Sequence, residues 1–260
     1  MGAVETVLIT GASSGIGRAL AVEFGRHGHR LCLTGRNSVE LAETAKLASD
    51  AGAAEVATYV ADLATVAGTD GLLRDLKLQP ISVLVHNAGF GVFGEFLKTD
   101  LAAERQLVEL QIGTTLALTK ALVPSMLARG RGEILNIGSV YAFSPVPRQS
   151  VYGACKAFML SWAEALAAEL EGTGVTVTTV CPGVTQSQFR RRSGAHEKSA
   201  TSGMTADAVA KIAYRACRSG RRLVVPGHLN KIFVRACRAI PVTWVSGAVG
   251  RINRTRGLHD

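Results

Sequence analysis

Short apolar runs alternate along this chain with segments in which apolar residues recur every three or four positions. The first run, VETVLIT, ends at a glycine, and the next segment, GIGRALAVEFGRHG, keeps the helical spacing until Gly28. Apolar, β-branched runs are typical of strands buried on both faces, and the longer period is typical of helices. The seven predicted strands are VETVLIT, HRLCLTGR, AEVATYVADL, ISVLVHNAG, GEILNIGS, GVTVTTVCPG and RRLVVPG.

Helical segments separate these strands, and the longest of them covers residues 101–128. Strands that alternate with helices predict βαβ units with right-handed crossovers. We therefore expect an α/β fold, a single Rossmann-type doubly wound parallel sheet flanked by helices. Hydrophobic residues make up 47% of the 260 residues and no Pro/Ser-rich linker interrupts them, so we expect one domain over residues 1–260.

The turn after the first strand is rich in glycine. It reads TGASSGIGR, with Gly11, Gly15 and Gly17 in a G-x-x-x-G-x-G spacing. Such glycines permit a tight turn and let the backbone approach a pyrophosphate at a helix N-terminus. A purely structural turn is the alternative, but the position between a first strand and a first helix favours a dinucleotide site.

The end of the second predicted strand bears on the choice of cofactor. An acidic residue there would bind the ribose 2′-hydroxyl of NAD, whereas an arginine accommodates the 2′-phosphate of NADP. Arg36 follows Gly17 by nineteen residues, and Arg18 could add a second cation. We expect NADP(H) rather than NAD(H), with an ordinary exposed loop arginine as the alternative interpretation of Arg36.

Three residues around the fifth predicted strand suggest proton transfer. Tyr152 precedes Lys156 by one helical turn, so an ammonium on the same face could lower the pKa of the phenol. Ser139 ends the fifth strand, where its hydroxyl could hold a substrate oxygen beside the tyrosine. We expect Tyr152 to donate a proton to a carbonyl or to accept one from an alcohol.

The chain resembles the short-chain dehydrogenases/reductases from about Thr6 to Gly227. The motifs TGASSGIG, NAG, Ser139, YGACK and PG occur in the order and approximate spacing of that family. The resemblance implies that Tyr152 is the general acid/base, that Ser139 orients the carbonyl, and that Lys156 also holds the nicotinamide ribose. Other cofactor-binding residues that it implies are Gly11, Ser13, Ser14, Ile16, Gly17, Asp62, Leu63, Asn87, Ala88, Gly89, Pro182, Gly183, Val184 and Ser187.

One catalytic position departs from the family pattern. The family commonly carries an asparagine in the helix before the fifth strand, where it supports a water that links the lysine to solvent. The matching stretch here, VELQIGTT, places Gln111 there. Glutamine keeps the amide but adds a methylene, so the relay could persist in a shifted position or become slower. His86 is a second, smaller departure, and we expect it to be a core residue.

The segments beside the predicted catalytic residues are apolar. We expect them to form a pocket for a ketone or aldehyde, apolar or acyl-type, with residues 185–204 as a lid. The run Arg190 to Arg192 leaves room for an acidic tail on the substrate. The predicted pocket residues are Phe90, Val92, Phe93, Val140, Tyr141, Phe143, Val146 and Phe189.

The formal net charge of +9 is concentrated in the last third of the chain. We expect a C-terminal extension, residues 228–260, to present a solvated basic face. No nucleic-acid motif accompanies this charge. The alternative is that residues 228–256 hold the protein on an anionic lipid surface. Five widely spaced cysteines favour free thiols, no metal site and a cytoplasmic location. The resemblance implies a homodimer or homotetramer.

The function that we expect is NADP(H)-dependent reduction of a small-molecule carbonyl to an alcohol, or the reverse. A protein of another class is the alternative: an NADP(H)-binding regulator or scaffold with little turnover, its site impaired by Gln111.

Overall fold

A central β-sheet organises the chain. The computed structural model describes residues 4–77, 79–186 and 203–255. The strands are β1 Thr6–Thr10, β2 Arg30–Gly35, β3 Glu55–Val60, β4 Ile81–His86, β5 Gly132–Ile137, β6 Val175–Val180, β7 Thr185–Gln186, β8 Met204–Thr205 and β9 Leu223–Val224. Seven of them form one sheet in the order β3-β2-β1-β4-β5-β6-β9, and every neighbouring pair is parallel. The predicted fold class and strand number are therefore confirmed.

Helices connect these strands as crossovers, and two further helices follow the last strand. The helices are α1 Gly15–Arg26, α2 Ser38–Asp50, α3 Val66–Asp75, α4 Leu101–Val108, α5 Thr114–Ala128, α6 Ser150–Glu169, α7 Ala206–Arg218, α8 His228–Ala239 and α9 Val242–Thr255. A π-helical turn, Glu109–Gly113, joins α4 to α5, so the long helix predicted over 101–128 is present with one wide turn inside it. Within the described residues, no helix is both long and apolar enough to span a bilayer.

The two faces of the sheet bury separate apolar layers. Val7 and Ile9 of β1 point to the layer formed with α1, α2 and α7, and Leu8 points to the layer formed with α3, α5 and α6. Strands covered on both faces lose contact with water on both sides, which is why Val7 to Ile9 of β1 and Val83 to Val85 of β4 are apolar runs without alternation. Each fully buried Leu or Val contributes roughly 1.5–3 kcal/mol to folding.

The chain order reverses between β1 and β4, which lie side by side at the centre. Crossovers on the two sides of this switch point diverge, and a crevice opens at the carboxyl ends of the strands. Asn87, just after β4, closes the inner wall of that crevice because its side-chain amide donates to the backbone oxygens of Thr10 and Gly11, at 2.8 and 3.1 Å. The topology therefore fixes where a ligand can enter.

The C-terminal region differs from the sequence-based prediction. We expected an extension without assigned structure after a seventh strand RRLVVPG, but β9 covers only Leu223–Val224, and α8 and α9 follow it. The amphipathic spacing of these two helices was present in the sequence and was missed. They pack on the segment after β5, where Val146 contacts Val245 and Val249.

Candidate active site

A cleft of about 920 Å³ lies at the carboxyl edge of the sheet. Its walls are the turns that follow β1, β2, β3, β4, β5 and β6. The predicted site residues that line it are Gly11, Ser13, Ser14, Ile16, Arg36, Asp62, Leu63, Asn87, Ala88, Gly89, Phe90, Ser139, Val140, Tyr141, Tyr152, Lys156, Pro182, Gly183 and Val184.

The glycine turn forms the floor of this cleft. Gly11 has a φ of +66°, a conformation that L side chains rarely adopt, and an added Cβ would lie 2.8 Å from the Cα of Ala88. Gly17 lies behind the turn rather than on the cleft wall, and a Cβ there would collide with the backbone oxygen of Gly11. Gly11 therefore lets the turn approach the segment after β4 closely, and Gly17 lets α1 approach the turn.

The first turn of α1 faces the cleft without a side-chain cap. Ser14 makes no side-chain capping bond, and no acidic residue lies in the first turn. By contrast, Asn37 caps α2 by accepting from the backbone amides of Val39 and Glu40, both at 3.1 Å. The backbone N–H groups at the start of α1 are thus available to an anion such as a pyrophosphate, which the helix dipole also favours.

Two arginines near the cofactor end have different roles. Arg36 is exposed on the cleft wall, where its guanidinium could meet a 2′-phosphate. Arg18, which we expected as a second cation, is engaged elsewhere: its guanidinium donates to the backbone oxygen of Ser13 at 2.7 Å and to the hydroxyl of Thr44 at 3.0 Å. Arg18 therefore ties the glycine turn to α2 and is not on the cleft wall.

Ser139, Tyr152 and Lys156 meet on the opposite wall. β5 ends at Ile137, two residues before Ser139, and α6 brings Tyr152 and Lys156 to the same place. The Lys156 Nζ donates to the backbone oxygen of Ile137 at 3.0 Å and lies 5.6 Å from the centre of the Tyr152 ring. All three side chains are buried, yet all three line the cleft.

The electrostatics of this trio differ from our expectation. Burial raises the pKa of Tyr152, and a hydrogen bond with the Ser139 side chain opposes that effect. Burial also lowers the pKa of Lys156 to about 8. A lowered tyrosine pKa was predicted from the proximity of the ammonium, but in the protein alone the loss of solvent is the larger influence on the phenol.

Gln111 lies in the π-helical turn between α4 and α5. Its side-chain Nε2 donates to the backbone oxygen of Phe90 at 3.3 Å, and its Oε1 is buried with no hydrogen-bond partner among the described residues. A π turn widens a helix by one residue and often marks a functional site. The amide therefore reaches the vicinity of Gly89 and Phe90, but it is not on the wall of the cleft.

His86 is a core residue, as we expected. Its Nε2 lies 3.0 Å from the Thr119 hydroxyl, and its ring packs edge-on against Trp162. Burial lowers the pKa of His86 to about 3, so the ring is neutral at physiological pH. It has no access to the cleft.

The predicted substrate pocket is only partly on the cleft wall. Phe90, Val140 and Tyr141 line the cleft, and the Tyr141 ring lies 6.4 Å from that of Tyr152. The other described members do not: Val146 packs against α9, and Phe143 lies under Arg238. These side chains were grouped by sequence proximity, and the loop turns them away from the cleft. The remaining predicted pocket residues off the wall are Val92 and Phe93.

Some residues fall outside what was predicted or described. Ser187, Phe189 and the arginine run 190–192 lie outside the described residues, as does most of the predicted lid. The ends of that segment meet where Thr185 and Gln186 of β7 pair with Met204 and Thr205 of β8.

Gln106 and Gln149 line the cleft but were not predicted from the sequence. Gln149 lies three positions before Tyr152, a spacing that could have indicated it.

The comparisons with known proteins agree with this geometry. The family model for short chain dehydrogenases matches residues 5–198. The ketoacyl reductase HetN of Nostoc sp. is 34% identical over 181 residues, which cover 69% of this chain and 63% of that protein. This chain therefore matches less than two thirds of HetN.

Solved structures extend the similarity over the whole chain. A short-chain dehydrogenase from Sphingobium yanoikuyae in complex with NADPH is 30% identical, with a TM-score of 0.82 over 99% of this chain and 97% of that one. The bulky-bulky ketone specific alcohol dehydrogenase from Comamonas testosteroni is 28% identical, with a TM-score of 0.78 and the same coverage. Other structures with this fold hold NADP or NAD. The chain belongs to the short-chain dehydrogenases, a family of NAD(P)-dependent oxidoreductases.

Proposed function

We propose that this protein is an NADP(H)-dependent carbonyl reductase whose general acid is Tyr152. The observation that carries the proposal is the convergence of Ser139, Tyr152 and Lys156 on one wall of a cleft whose opposite end holds the glycine turn and Arg36. A dinucleotide needs a phosphate-binding turn and a reactive end within one continuous cleft, and this cleft has both.

The residues present fit the cofactor. The uncapped start of α1 and the turn at Gly11 suit the pyrophosphate, and Asp62 and Leu63 line the wall where the adenine would lie. Arg36 suits a 2′-phosphate because a guanidinium offers planar, charged donors. Its counterpart in an NAD-specific site would be acidic, which supports NADP(H) over NAD(H).

NADPH held in this cleft would supply the hydride that the carbonyl carbon accepts. The chain supplies the proton: the Tyr152 phenol donates it to the carbonyl oxygen as the alcohol forms. The Ser139 hydroxyl donates a hydrogen bond to the same oxygen and stabilises the negative charge that develops there. The Lys156 ammonium stabilises the phenolate left after proton transfer, and Gln111 helps to return a proton from solvent through the region beside Phe90.

The substrate that suits this cleft is an apolar ketone or aldehyde, or an acyl-type carbonyl. Phe90, Val140 and Tyr141 form the wall nearest the catalytic trio. Gln106 and Gln149 add polar groups that could orient one further oxygen of the substrate. Two similar proteins, the ketoacyl reductase HetN and the bulky-bulky ketone specific alcohol dehydrogenase, are named for carbonyl substrates of this kind, which supports the same substrate class.

The assembly that we propose is a homodimer or homotetramer of one-domain chains. Exposed apolar side chains on α4, α5 and α6 support it, because solvent-facing apolar groups on neighbouring helices are typical of subunit contacts. These residues are Leu101, Val108, Leu127 and Phe158. A cytoplasmic location and a lid over residues 185–204 remain part of this proposal.

The test is NADPH consumption across a panel of carbonyls: aromatic ketones, apolar aldehydes and a ketoacyl thioester. We expect turnover with at least one apolar member and a loss of about 10²- to 10⁴-fold in Tyr152→Phe, because that variant removes only the transferable proton. NADPH binding should survive in the variant. Equal turnover by the variant would refute the role of Tyr152.

A protein of the alternative class would give a different result. A regulator or scaffold would bind NADPH with micromolar or tighter affinity and show no turnover with any panel member. The intact trio argues against that outcome. Replacing Gln111 by the family's asparagine serves as the matched check, since restored turnover in Gln111→Asn would identify the glutamine as the impairment.

A further inference from the structure

The outer sides of α8 and α9 expose large apolar side chains to solvent. Leu229 and Trp244 are 82% and 74% exposed, and Ile232 is 61% exposed. Large apolar side chains that are exposed together on a protein surface often mark an interaction site. We call these residues, together with Ile240, Val242 and Ile252, the C-terminal apolar surface.

The helical spacing separates this surface from the side that packs on the protein. In α9, Trp244 and Ile252 are exposed, whereas Val245, Val249 and Asn253 recur every four residues and form the buried side of the helix. In α8, Leu229 and Ile232 form an exposed stripe beside the buried Val234. The buried sides hold the helices in place, whereas Leu229, Ile232 and Trp244 keep most of their surface in solvent.

Cations accompany the apolar residues. Lys231, Arg235 and Arg238 recur at helical spacing on the exposed part of α8, and none of them forms an ion pair with another described residue. The sequence has no Asp or Glu between Asp207 and Asp260, although it has eleven Lys and Arg there. The surface therefore presents positive charge with no nearby acid along the chain to neutralise it.

We propose that the C-terminal apolar surface docks on an anionic phospholipid bilayer. Amphipathic helices with basic and large apolar side chains, tryptophan among them, lie in the plane of such an interface, where the apolar groups enter the acyl boundary and the cations meet the headgroups. A second copy of the chain suits the surface poorly, because a two-fold contact would place the same cations against themselves. Aliphatic side chains such as those of Leu229 and Ile232 would also gain little from contact with the charged backbone of a nucleic acid.

The surface adjoins the cleft. Asn253 of α9 donates from Nδ2 to the backbone oxygen of Pro147 at 3.0 Å, and the Arg238 guanidinium of α8 lies 5.1 Å from the centre of the Phe143 ring. Both contacts involve the segment that carries Val140 and Tyr141 into the cleft. Docking would therefore hold the substrate entrance near the bilayer, where an apolar carbonyl concentrates. This last step rests on the proposed function, but the docking itself does not.

Vesicle flotation of the full chain tests the docking without any activity assay. We expect the protein to float with phosphatidylcholine vesicles that contain phosphatidylglycerol and not with phosphatidylcholine alone, at physiological salt. The chain has two tryptophans, and Trp162 is partly buried, so a blue shift of the emission on vesicle addition that disappears in Trp244→Phe would locate the contact.

Two variants and one control separate the contributions. Lys231→Glu with Arg235→Glu should weaken binding at least about 25-fold, since each lost cation costs about fivefold. Leu229→Ser with Ile232→Ser should weaken binding while leaving the circular dichroism and the thermal midpoint unchanged, because both residues are exposed. Leu97→Ser is the matched control: that leucine is 94% exposed elsewhere and its replacement should have no effect.

Several outcomes would overturn the proposal. The first two are the absence of flotation with anionic vesicles and equal flotation with neutral vesicles. The third is a loss of vesicle binding in Leu97→Ser as large as in the double serine variant. The fourth is a shift from dimer to monomer in Leu229→Ser with Ile232→Ser, which would identify a subunit contact instead. Tighter binding to a DNA or RNA oligomer than to the anionic vesicles would likewise assign the surface to nucleic acid. A protein that floats but reduces no carbonyl would refute only the proposed function.

Discussion

Polar side chains have different surroundings at the two edges of the central sheet. At the amino edge, the Arg218 guanidinium lies 3.0 Å from Glu5 and 2.6 Å from Glu133, so one cation joins the starts of β1 and β5. At the carboxyl edge, the buried side chains of Ser139, Tyr152 and Lys156 line an open cleft. The charged groups at the amino edge pair with each other and hold the strands together, whereas the polar groups at the carboxyl edge border a space that a ligand could fill.

The amino edge also shows how titratable groups behave when the fold provides their partners. His29 lies 3.4 Å from the Tyr214 hydroxyl and 3.6 Å from Glu5, and burial lowers its pKa. Cys217 donates to Glu133 at 3.1 Å. None of these groups lines the cleft, so we expect them to affect stability and not catalysis. Substitutions at the two edges should therefore have opposite effects.

Apart from Tyr152→Phe, the largest effect is expected for Ser139→Ala at the carboxyl edge. Loss of a hydroxyl that stabilises the developing oxyanion should lower kcat/KM about 10²- to 10³-fold. The free energy of unfolding should change by less than about 1 kcal/mol, because only one small polar group is removed. Steady-state kinetics and urea unfolding of the same preparation check both values. A change in stability with unaltered kcat/KM would assign Ser139 to the fold instead.

Arg36→Ala should alter cofactor preference. Removing a guanidinium from a 2′-phosphate costs about 1.5–3 kcal/mol, so NADPH affinity should fall roughly 10- to 150-fold while NADH affinity stays the same. Fluorescence titrations with both cofactors measure this. Arg18→Ala is the control from the neighbouring helix and should affect the thermal midpoint more than the NADPH/NADH ratio. Equal losses for both cofactors in Arg36→Ala would contradict the assignment to NADP(H).

Arg218→Ala should show the opposite pattern at the amino edge. It leaves Glu5 and the partly buried Glu133 without their cation, so the free energy of unfolding should fall by about 1–3 kcal/mol. At a temperature where the variant is folded, kcat/KM should equal that of the wild type. Urea denaturation monitored by circular dichroism gives the first value. Reduced turnover in a fully folded variant would show that the two edges are coupled.

The pH dependence should follow Lys156. Burial lowers the pKa of this lysine to about 8, so the ammonium is fully present below that value and is lost as pH rises through it. The kcat/KM for NADPH in carbonyl reduction, which reports the enzyme before it binds the cofactor, should therefore be level at neutral pH and fall up to about tenfold per unit above pH 8. A pH–rate profile checks this, with Arg218→Ala as the control that should keep the same limb. A level profile up to pH 10 would exclude Lys156 as the controlling group.

The sequence was sufficient for the fold because most strands are short apolar or β-branched runs and most of the helices between them keep a clear helical spacing. It was also sufficient to group Ser139, Tyr152 and Lys156, since a strand end and a helix start are adjacent in any doubly wound sheet. It was insufficient for Val146 and Phe143, because the direction of a side chain in a proline-containing loop depends on packing against α8 and α9, which had not been predicted. The bonds of Arg18 to α2 likewise depend on tertiary contacts with no local signal.

Hydride transfer itself is the most direct test of the reaction assigned to the carboxyl edge. The measurement is mass spectrometry of the alcohol formed from an apolar ketone and NADPH that carries deuterium at both C4 positions. We predict one deuterium on the carbinol carbon of each product molecule with the wild type, and almost no labelled product with Tyr152→Phe in the same time. Unlabelled alcohol from the wild type, or NADPH oxidation without alcohol, would contradict the account.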